Sequence, residues 1–138
     1  EADAAGLSHI IGRNKIDSVW MNVRPGEGLL TICHCCPCCC LWKVYPNLHN
    51  DISDKLERLD GVRVNFDSNK CRHCGKCLDA CMFKIIEEND GKIRLDSDKC
   101  KGCGLCVNSC KFGALTIDYT DETIDNVVNR MENLIEYE

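Results

Sequence analysis

The sequence of 138 residues predicts an α+β fold. A pseudo-twofold domain of short β-hairpins and helices follows a Cys-rich N-terminal extension and precedes a C-terminal amphipathic helix. Three observations carry this. Residues 67–83 and 96–112 align with nine identities in 17 positions at an offset of 29, including four Cys pairs, Asp67/Asp96, Gly75/Gly104 and Phe83/Phe112; such self-similarity marks a repeated structural unit. Brief apolar alternations bounded by turn residues flank the repeat. Beyond residue 119 the apolar positions fall at helical spacing.

Taken in order, Glu1 to Gly6 reads as the last turn of a helix with Gly6 at its C-cap, so the chain is expected to be a piece of something longer. Ser18–Val23 and Leu29–Ile32 are apolar and β-prone, and Pro25-Gly26 between them signals a turn. A β-hairpin is the expectation there. Leu48, Ile52, Leu56 and Leu59 have helical spacing, with Asp51 or Ser53 as N-cap and Gly61 as the stop, which predicts a helix over about 51–60. Val62–Phe66 alternates like a strand. Ile85-Ile86 and Ile93–Leu95 bracket Asn89-Asp90-Gly91, a hairpin signal, and Leu115–Ile117 gives a last strand. Short helices are expected at Cys77–Cys81 and Cys106–Cys110. Thr120 can cap a final helix whose first turn carries Asp121 and Glu122, favourable at the positive end of its dipole. Ile124, Val127, Val128, Met131, Leu134 and Ile135 form its apolar stripe, which must be covered by the N-terminal extension, by a partner or by further chain. The expected division is 1–61, 62–118 and 119–138.

The repeat carries the chemistry. Cys71, Cys74, Cys77 and Cys81, then Cys100, Cys103, Cys106 and Cys110, each read C-x2-C-x2-C-x3-C. Three thiolates from one tight loop can reach separate corners of a cuboidal iron–sulfur cluster. A pair of zinc sites would use C-x2-C pairs but gives the third Cys of each triplet no task. On these motifs, Val62 to Asp118 resembles the bacterial dicluster (2x4Fe-4S) ferredoxins. That resemblance implies a crossed ligand set, the fourth Cys of each run serving the other cluster. Cys71, Cys74, Cys77 and Cys110 would hold cluster one, and Cys100, Cys103, Cys106 and Cys81 cluster two. Met82 and Lys111 stand where that family usually has Pro after the fourth Cys; Pro shapes the chain's exit and is not a ligand.

Cys33-His34-Cys35-Cys36-Pro37-Cys38-Cys39-Cys40 is a second concentration of sulfur. Free thiols packed so densely oxidise readily. Cys33, Cys36 and Cys39 repeat the cluster-loop spacing, so a third 4Fe-4S cluster is expected, with Cys35, Cys38 or Cys40 as fourth ligand. A redox-active dithiol from a C-x2-C pair is the competing reading, followed by a zinc or structural site. The run also resembles cysteine runs that precede ferredoxin modules in larger iron–sulfur proteins of anaerobes. His34 fits a supporting place beside these thiolates, and His73 a loop position near a cluster. His9 and His49 belong to no motif. Trp20, Trp42 and Tyr45 flank the run and are expected to shield a cluster from water.

Fourteen cysteines would also suit a secreted disulfide scaffold. The absence of an apolar leader stretch, the tight clustering and the adjacency of Cys38, Cys39 and Cys40 oppose that class. A reducing cytoplasmic setting is expected instead. The formal charge is −5, and two oxidised clusters with their thiolates bring it to about −9, which argues against nucleic acid. No apolar run reaches the ~20 residues of a membrane span. Lys70, Arg72, Lys76, Lys84, Lys99, Lys101 and Lys111 crowd the motifs, either as counter-charge or as a docking rim for an acidic partner. The leading function is electron transfer between a redox donor and acceptor. The alternatives are a redox enzyme fragment whose Cys33–Cys40 site is catalytic, and a metal-held interaction module.

Overall fold

Strands of four or five residues cannot bury a face alone, so this chain pairs them, twice across long sequence separations and once in a hairpin. The computed structural model describes residues 1–2, 4–12, 15–26 and 29–133. In order these form β1 (Ser8–Gly12), α1 (Lys15–Trp20), β2 (Thr31–Cys35), a 3-10 helix (Leu41–Asn47), α2 (Asn50–Ser53), β3 (Arg63–Phe66), α3 (Lys76–Ala80), β4 (Ile86–Asn89), β5 (Lys92–Leu95), α4 (Leu105–Ser109), β6 (Leu115–Asp118) and α5 (Asp121–Glu132). The described strands make three two-stranded antiparallel sheets, β1–β2, β3–β6 and β4–β5. Among the described residues no helix is long and apolar enough to cross a membrane.

The repeat folds as a mixed α+β unit. β3 and β6 pair its two ends, Val64 opposite Ile117 and Phe66 opposite Leu115, and alternation turns Val64 and Leu115 into the core. β4 and β5 form the expected hairpin. Its turn residues Asp90 and Gly91 both have positive φ, 51° and 69°, the type I′ geometry that matches strand twist. α3 and α4 pack against each other. Met82, Phe83, Ile86, Ile93, Leu105 and Leu115 fill the centre with the buried Cys81, Cys100 and Cys106.

The N-terminal part departs from expectation twice. Ser18–Val23 is not a strand: α1 covers Lys15–Trp20, and Met21 N–H to Asp17 O (2.9 Å) and Val23 N–H to Ser18 O (3.0 Å) close the following turn. Val19, Trp20 and Met21 are consecutive apolar residues, which no strand can place on one face, and all three are exposed. β2 pairs instead with the alternating Ser8–Gly12, setting Ile10 opposite Cys33 and Ser8 opposite Cys35. The helix over 51–60 shrinks to α2, capped by His49 Nδ1 accepting from Asp51 N–H (3.3 Å) rather than by Asp51 or Ser53. Ile52 and Leu59 stay exposed, so the helical spacing describes no buried stripe. The chain is drawn out beyond it because the Arg58 guanidinium donates to Ser97 O (2.7 Å) and Cys100 O (3.3 Å) in the second motif.

Trp42 and Tyr45 pack on the core as expected, Tyr45 edge-on to Phe83 with centroids 4.8 Å apart. Trp20 does not: it lies 74 % exposed on α1. At the N-terminus, Ala5 N–H to Glu1 O (3.0 Å) and Leu7 N–H to Ala2 O (3.1 Å) close hydrogen-bonded turns ahead of Gly6 at φ 69°, where the last turn of a helix was expected and no helix is assigned among the described residues.

Thr120 caps α5, and Thr120 and Thr123 bond reciprocally as a capping box. Thr123 is buried, Val127 and Met131 are half-buried, and Ile124 and Val128 remain 47 % and 46 % exposed, so part of the stripe faces outward. Leu134 and Ile135 lie outside the described residues. The helix is seated by Gly61 (φ 80°), where an added Cβ would collide with Thr123 Oγ1. Gly61→Ala is therefore expected to cost about 2–4 kcal/mol, left-handed strain plus overlap. Gly91→Ala, with open space around it, should cost only about 1 kcal/mol. Equal shifts of the two urea midpoints would show that Gly61 seats nothing.

Candidate metal centre

Each motif opens on a turn that the repeated Asp builds. Asp67 Oδ1 accepts from Asn69 N–H (2.9 Å), and Asp96 Oδ1 accepts from Asp98 N–H (3.2 Å) and Lys99 N–H (3.1 Å); this is the Asx turn that Asp favours. The Lys99 N–H, and then its ammonium 3.4 Å from Oδ2, hold the Asp96 carboxyl below the usual range. Lys70 pairs with Asp67 at 3.7 Å in the same way. The identities of Asp and Lys are plain in the sequence, but their use as the loop's starting turn is not.

Backbone handedness repeats at the same offset of 29. His73 and Gly102 (φ 50° and 68°), Gly75 and Gly104 (73° and 76°), and Lys84 and Gly113 (53° and 63°) are all left-handed. Gly75 and Gly104 stand at the N-caps of α3 and α4, so the third Cys of each run sits in the first turn of a helix. His73 thus takes a loop conformation that glycine takes in the other half, and its N–H points at Cys71 Sγ, 3.4 Å away. An added Cβ on Gly102 would meet Val62 Cγ1 at 2.9 Å and Arg58 Cγ at 3.1 Å, so the second loop lies tight against the linking segment. Arg58 carries no motif signal and is missed by sequence reasoning.

The sulfurs gather into two cavities. Cys71, Cys74, Cys77 and Cys110 line one, walled by Phe66, Ile93 and Leu115. Cys81, Cys100, Cys103 and Cys106 line the other, walled by Val64, Phe83 and Ile86. Each therefore takes three cysteines from one motif and one from the other. The second set is the deeper: Cys81, Cys100 and Cys106 are buried and Cys103 half-buried, whereas Cys74 of the first set is exposed and its other three are half-buried. No three of these eight sulfurs lie within 4.8 Å of one another.

The thiols respond to this burial. Desolvation, then neighbouring sulfurs, pushes Cys106 up to about 12, and desolvation also pushes Cys103 up to about 11 and raises Cys77. At Cys110 burial is the largest single effect and raises the thiol, but the N–H groups of Phe112, Leu115, Ala114 and Gly113 together outweigh it and leave it lowered. An all-sulfur donor set in a largely apolar cavity is stable as thiolate only around a cationic core, which is the chemistry a 4Fe-4S cluster provides.

The Cys33–Cys40 run divides. Strand alternation places Cys33 and Cys35 on one face of β2; Cys35 is 2 % exposed in the same core as Cys100 and Cys106. Burial, then the Cys40 thiol, then Cys33 and Cys103 raise the Cys35 thiol, and burial and Asp17 raise Cys33. Cys33, Cys35 and Cys40 form the inner group. Cys36 and Cys38 are joined by a disulfide, and Cys39 Sγ lies 3.7 Å from each of their sulfurs. The triplet Cys33, Cys36 and Cys39 is thus parted between the two groups, because Cys33 belongs to a strand face and the others to the turn after it. The bond is C-x-C, not one of the C-x2-C pairs the sequence suggests. His34 points to the opposite strand face, its Nδ1 2.8 Å from Nδ1 of His9 across β1–β2. That pairing could be read only once the register was known. Of the basic residues, Lys101 lies over the Tyr45 ring at 5.5 Å and Lys84 donates to Leu78 O at 3.2 Å, while Arg72 and Lys76 are exposed at the rim of the first cavity.

No curated protein matches the chain. Residues 70–114, from the residue before the first ligand candidate to the residue before β6, match the family of 4Fe-4S dicluster domains.

Proposed function

We propose that the chain relays single electrons between a redox donor and acceptor through two 4Fe-4S clusters, as a ferredoxin module of a larger redox protein or complex in the cytoplasm. The observation that carries this is the gathering of four cysteines, three from one motif and one from the other, around each of two apolar cavities. Cys71, Cys74, Cys77 and Cys110 would hold one cluster, and Cys100, Cys103, Cys106 and Cys81 the second. A bound 4Fe-4S cluster takes up or gives one electron at a time.

The chain's own residues set how readily that happens. Phe66, Ile93 and Leu115 in one cavity and Val64, Phe83 and Ile86 in the other exclude water, which disfavours added negative charge. Backbone N–H groups aimed at Cys71 and Cys110 favour it. Cys77 of the first set is near enough to act electrostatically on Cys106 of the second, so the two centres are neighbours. Exposed Cys74, with Arg72 and Lys76 beside it, supports a docking edge at the first cluster for an acidic partner. Lys70, Lys99 and Lys101 have partners within the chain and serve as counter-charge.

The Cys33–Cys40 run is a third redox site in this reading, attached to the second cluster's surroundings by Cys35. A third iron–sulfur cluster there would need Cys36 and Cys38 reduced, or would draw on the inner cysteines.

Anaerobically prepared protein should hold about eight irons and eight sulfides per chain; a third cluster would raise the count to about twelve. Cys110→Ser should perturb the cluster held by Cys71, Cys74 and Cys77 and spare the nearer one in sequence. Paramagnetic resonance showing that each motif closes its own cluster would overturn the crossed assignment.

A pH dependence follows from the raised thiols. The cluster-free fold keeps Cys103 and Cys106 protonated up to about 11 and about 12, whereas bound ligands are thiolates, so loading releases protons and is favoured as pH rises. Iron loss to a chelator should accordingly slow from pH 6 to pH 9. Loss that is faster at the higher pH would contradict the sign.

A further inference from the structure

We propose that Cys36, Cys38 and Cys39 form a thiol–disulfide exchange centre whose substrate is a disulfide, on a protein or a small thiol compound. The proposal depends on the relay reading only for one source of its electrons. Four observations bring it out. The Cys36–Cys38 bond encloses one residue, Pro37, with Cα atoms 5.4 Å apart; so small a loop removes little chain entropy, so the bond is a poor staple for the fold. It lies at the surface, with Cys38 exposed and Cys36 half-buried. A third thiol, Cys39, is exposed and stands 3.7 Å from both bonded sulfurs, close enough to exchange with either. Lys43 donates from Nζ to Cys38 O (3.1 Å), which holds an ammonium beside the centre.

The centre is also fixed to a rigid support. Cys35, the residue before Cys36, ends β2 and is buried in the same core as Cys100 and Cys106, so the turn that carries the trio starts from the core. None of the eight dicluster cysteines is needed for the exchange.

The chemistry balances without further groups. In the reduced form the Cys36 thiolate attacks one sulfur of the substrate disulfide; the substrate S–S bond breaks, a mixed disulfide forms, and the first product leaves as a thiolate with the bonding pair. The Cys38 thiolate then attacks Cys36 Sγ, the second product thiolate leaves, and the Cys36–Cys38 bond closes. Two electrons and two protons have passed from the cysteines to the substrate. Restoring the dithiol takes two electrons and two protons, supplied by a dithiol in reverse exchange or by two one-electron iron–sulfur donors. Cys39 offers a second resolving thiol.

The test uses the anaerobically loaded protein and oxidised glutathione as the probe. Alkylation and mass spectrometry of the 33–40 peptide should find one disulfide within the trio, opening to about two new thiols on treatment with dithiothreitol while the visible absorption persists. The reduced protein should then release about two glutathione thiols per chain and re-form the bond. A Cys38→Ser/Cys39→Ser variant should release about one and stop at a mixed disulfide on Cys36, with iron unchanged. Thiols of the trio protected from alkylation together with about twelve irons, or with one retained zinc ion, would overturn the proposal in favour of a cluster or metal site. A bond that neither dithiothreitol nor glutathione exchanges would overturn it as inert. Iron well below eight with exchange intact would instead sink the relay reading and leave this one standing.

Discussion

Everything in the repeat depends on a crossing. Neither motif can complete a cavity, because the fourth sulfur of each set comes from the other half of the chain: Cys110 stands with Cys71, Cys74 and Cys77, and Cys81 with Cys100, Cys103 and Cys106. That demand fixes the topology around it. α3 and α4 must pack together so that the residue after each reaches across, and β3 must pair with β6 so that the ends of the repeat meet. The short elements then need little intrinsic stability. A four-residue strand or five-residue helix is marginal by itself, and the sulfur-lined core that the crossing creates is what they bury.

The same dependence explains what was legible. Cysteine spacing and the nine identities are covalent facts of the sequence, and they marked the repeat whose eight cysteines line the two cavities, while the turn residues announced the hairpin at Asp90-Gly91. The left-handed positions were half visible, since Gly75 and Gly104 announce themselves while His73 and Lys84 do not. The N-terminal region was misread where a pattern lacked a partner. Val19, Trp20 and Met21 look β-prone as types but offer no alternate face, and the true partner of β2, Ser8–Gly12, is inconspicuous until its register with Thr31–Cys35 is known. Leu48, Ile52, Leu56 and Leu59 have helical spacing, yet the tie from Arg58 to the second loop required extended chain. The division of the six thiols could not be read either, because spacing alone does not say where a strand ends and a turn begins.

That division separates two kinds of sulfur by one physical variable, access to water. On β2 the inward face carries Cys35 into a low-dielectric core, where the neutral thiol is favoured, and leaves Cys33 half-buried beside it. One residue later the chain turns outward, and Cys36, Cys38 and Cys39 meet solvent. Neighbouring cysteines of the same run therefore have different chemistry open to them, and the strand boundary at Cys35 decides which.

The N-terminal segment also breaks the equivalence of the two halves. By sequence the motifs are near-copies, so their sulfurs would be expected to sit at similar depth. Instead every member of the second set is deeper than the first set's exposed Cys74, and three of its four are buried. The cause is outside the repeat: Cys35, Trp42 and Tyr45 lie against the core, Tyr45 stacks edge-on to Phe83, and Lys101 is drawn over the Tyr45 ring. Burial disfavours added negative charge, so two similar loops become unequal sites without any change in their ligands. In the relay we propose, the exposed first site with Arg72 and Lys76 at its rim is suited to exchange with a partner, and the covered second site to passing electrons inward. In that reading the unequal cover distinguishes the two sites, and the residues that provide it, Cys35, Trp42 and Tyr45, also tie the Cys33–Cys40 run to the core that holds Cys100 and Cys106.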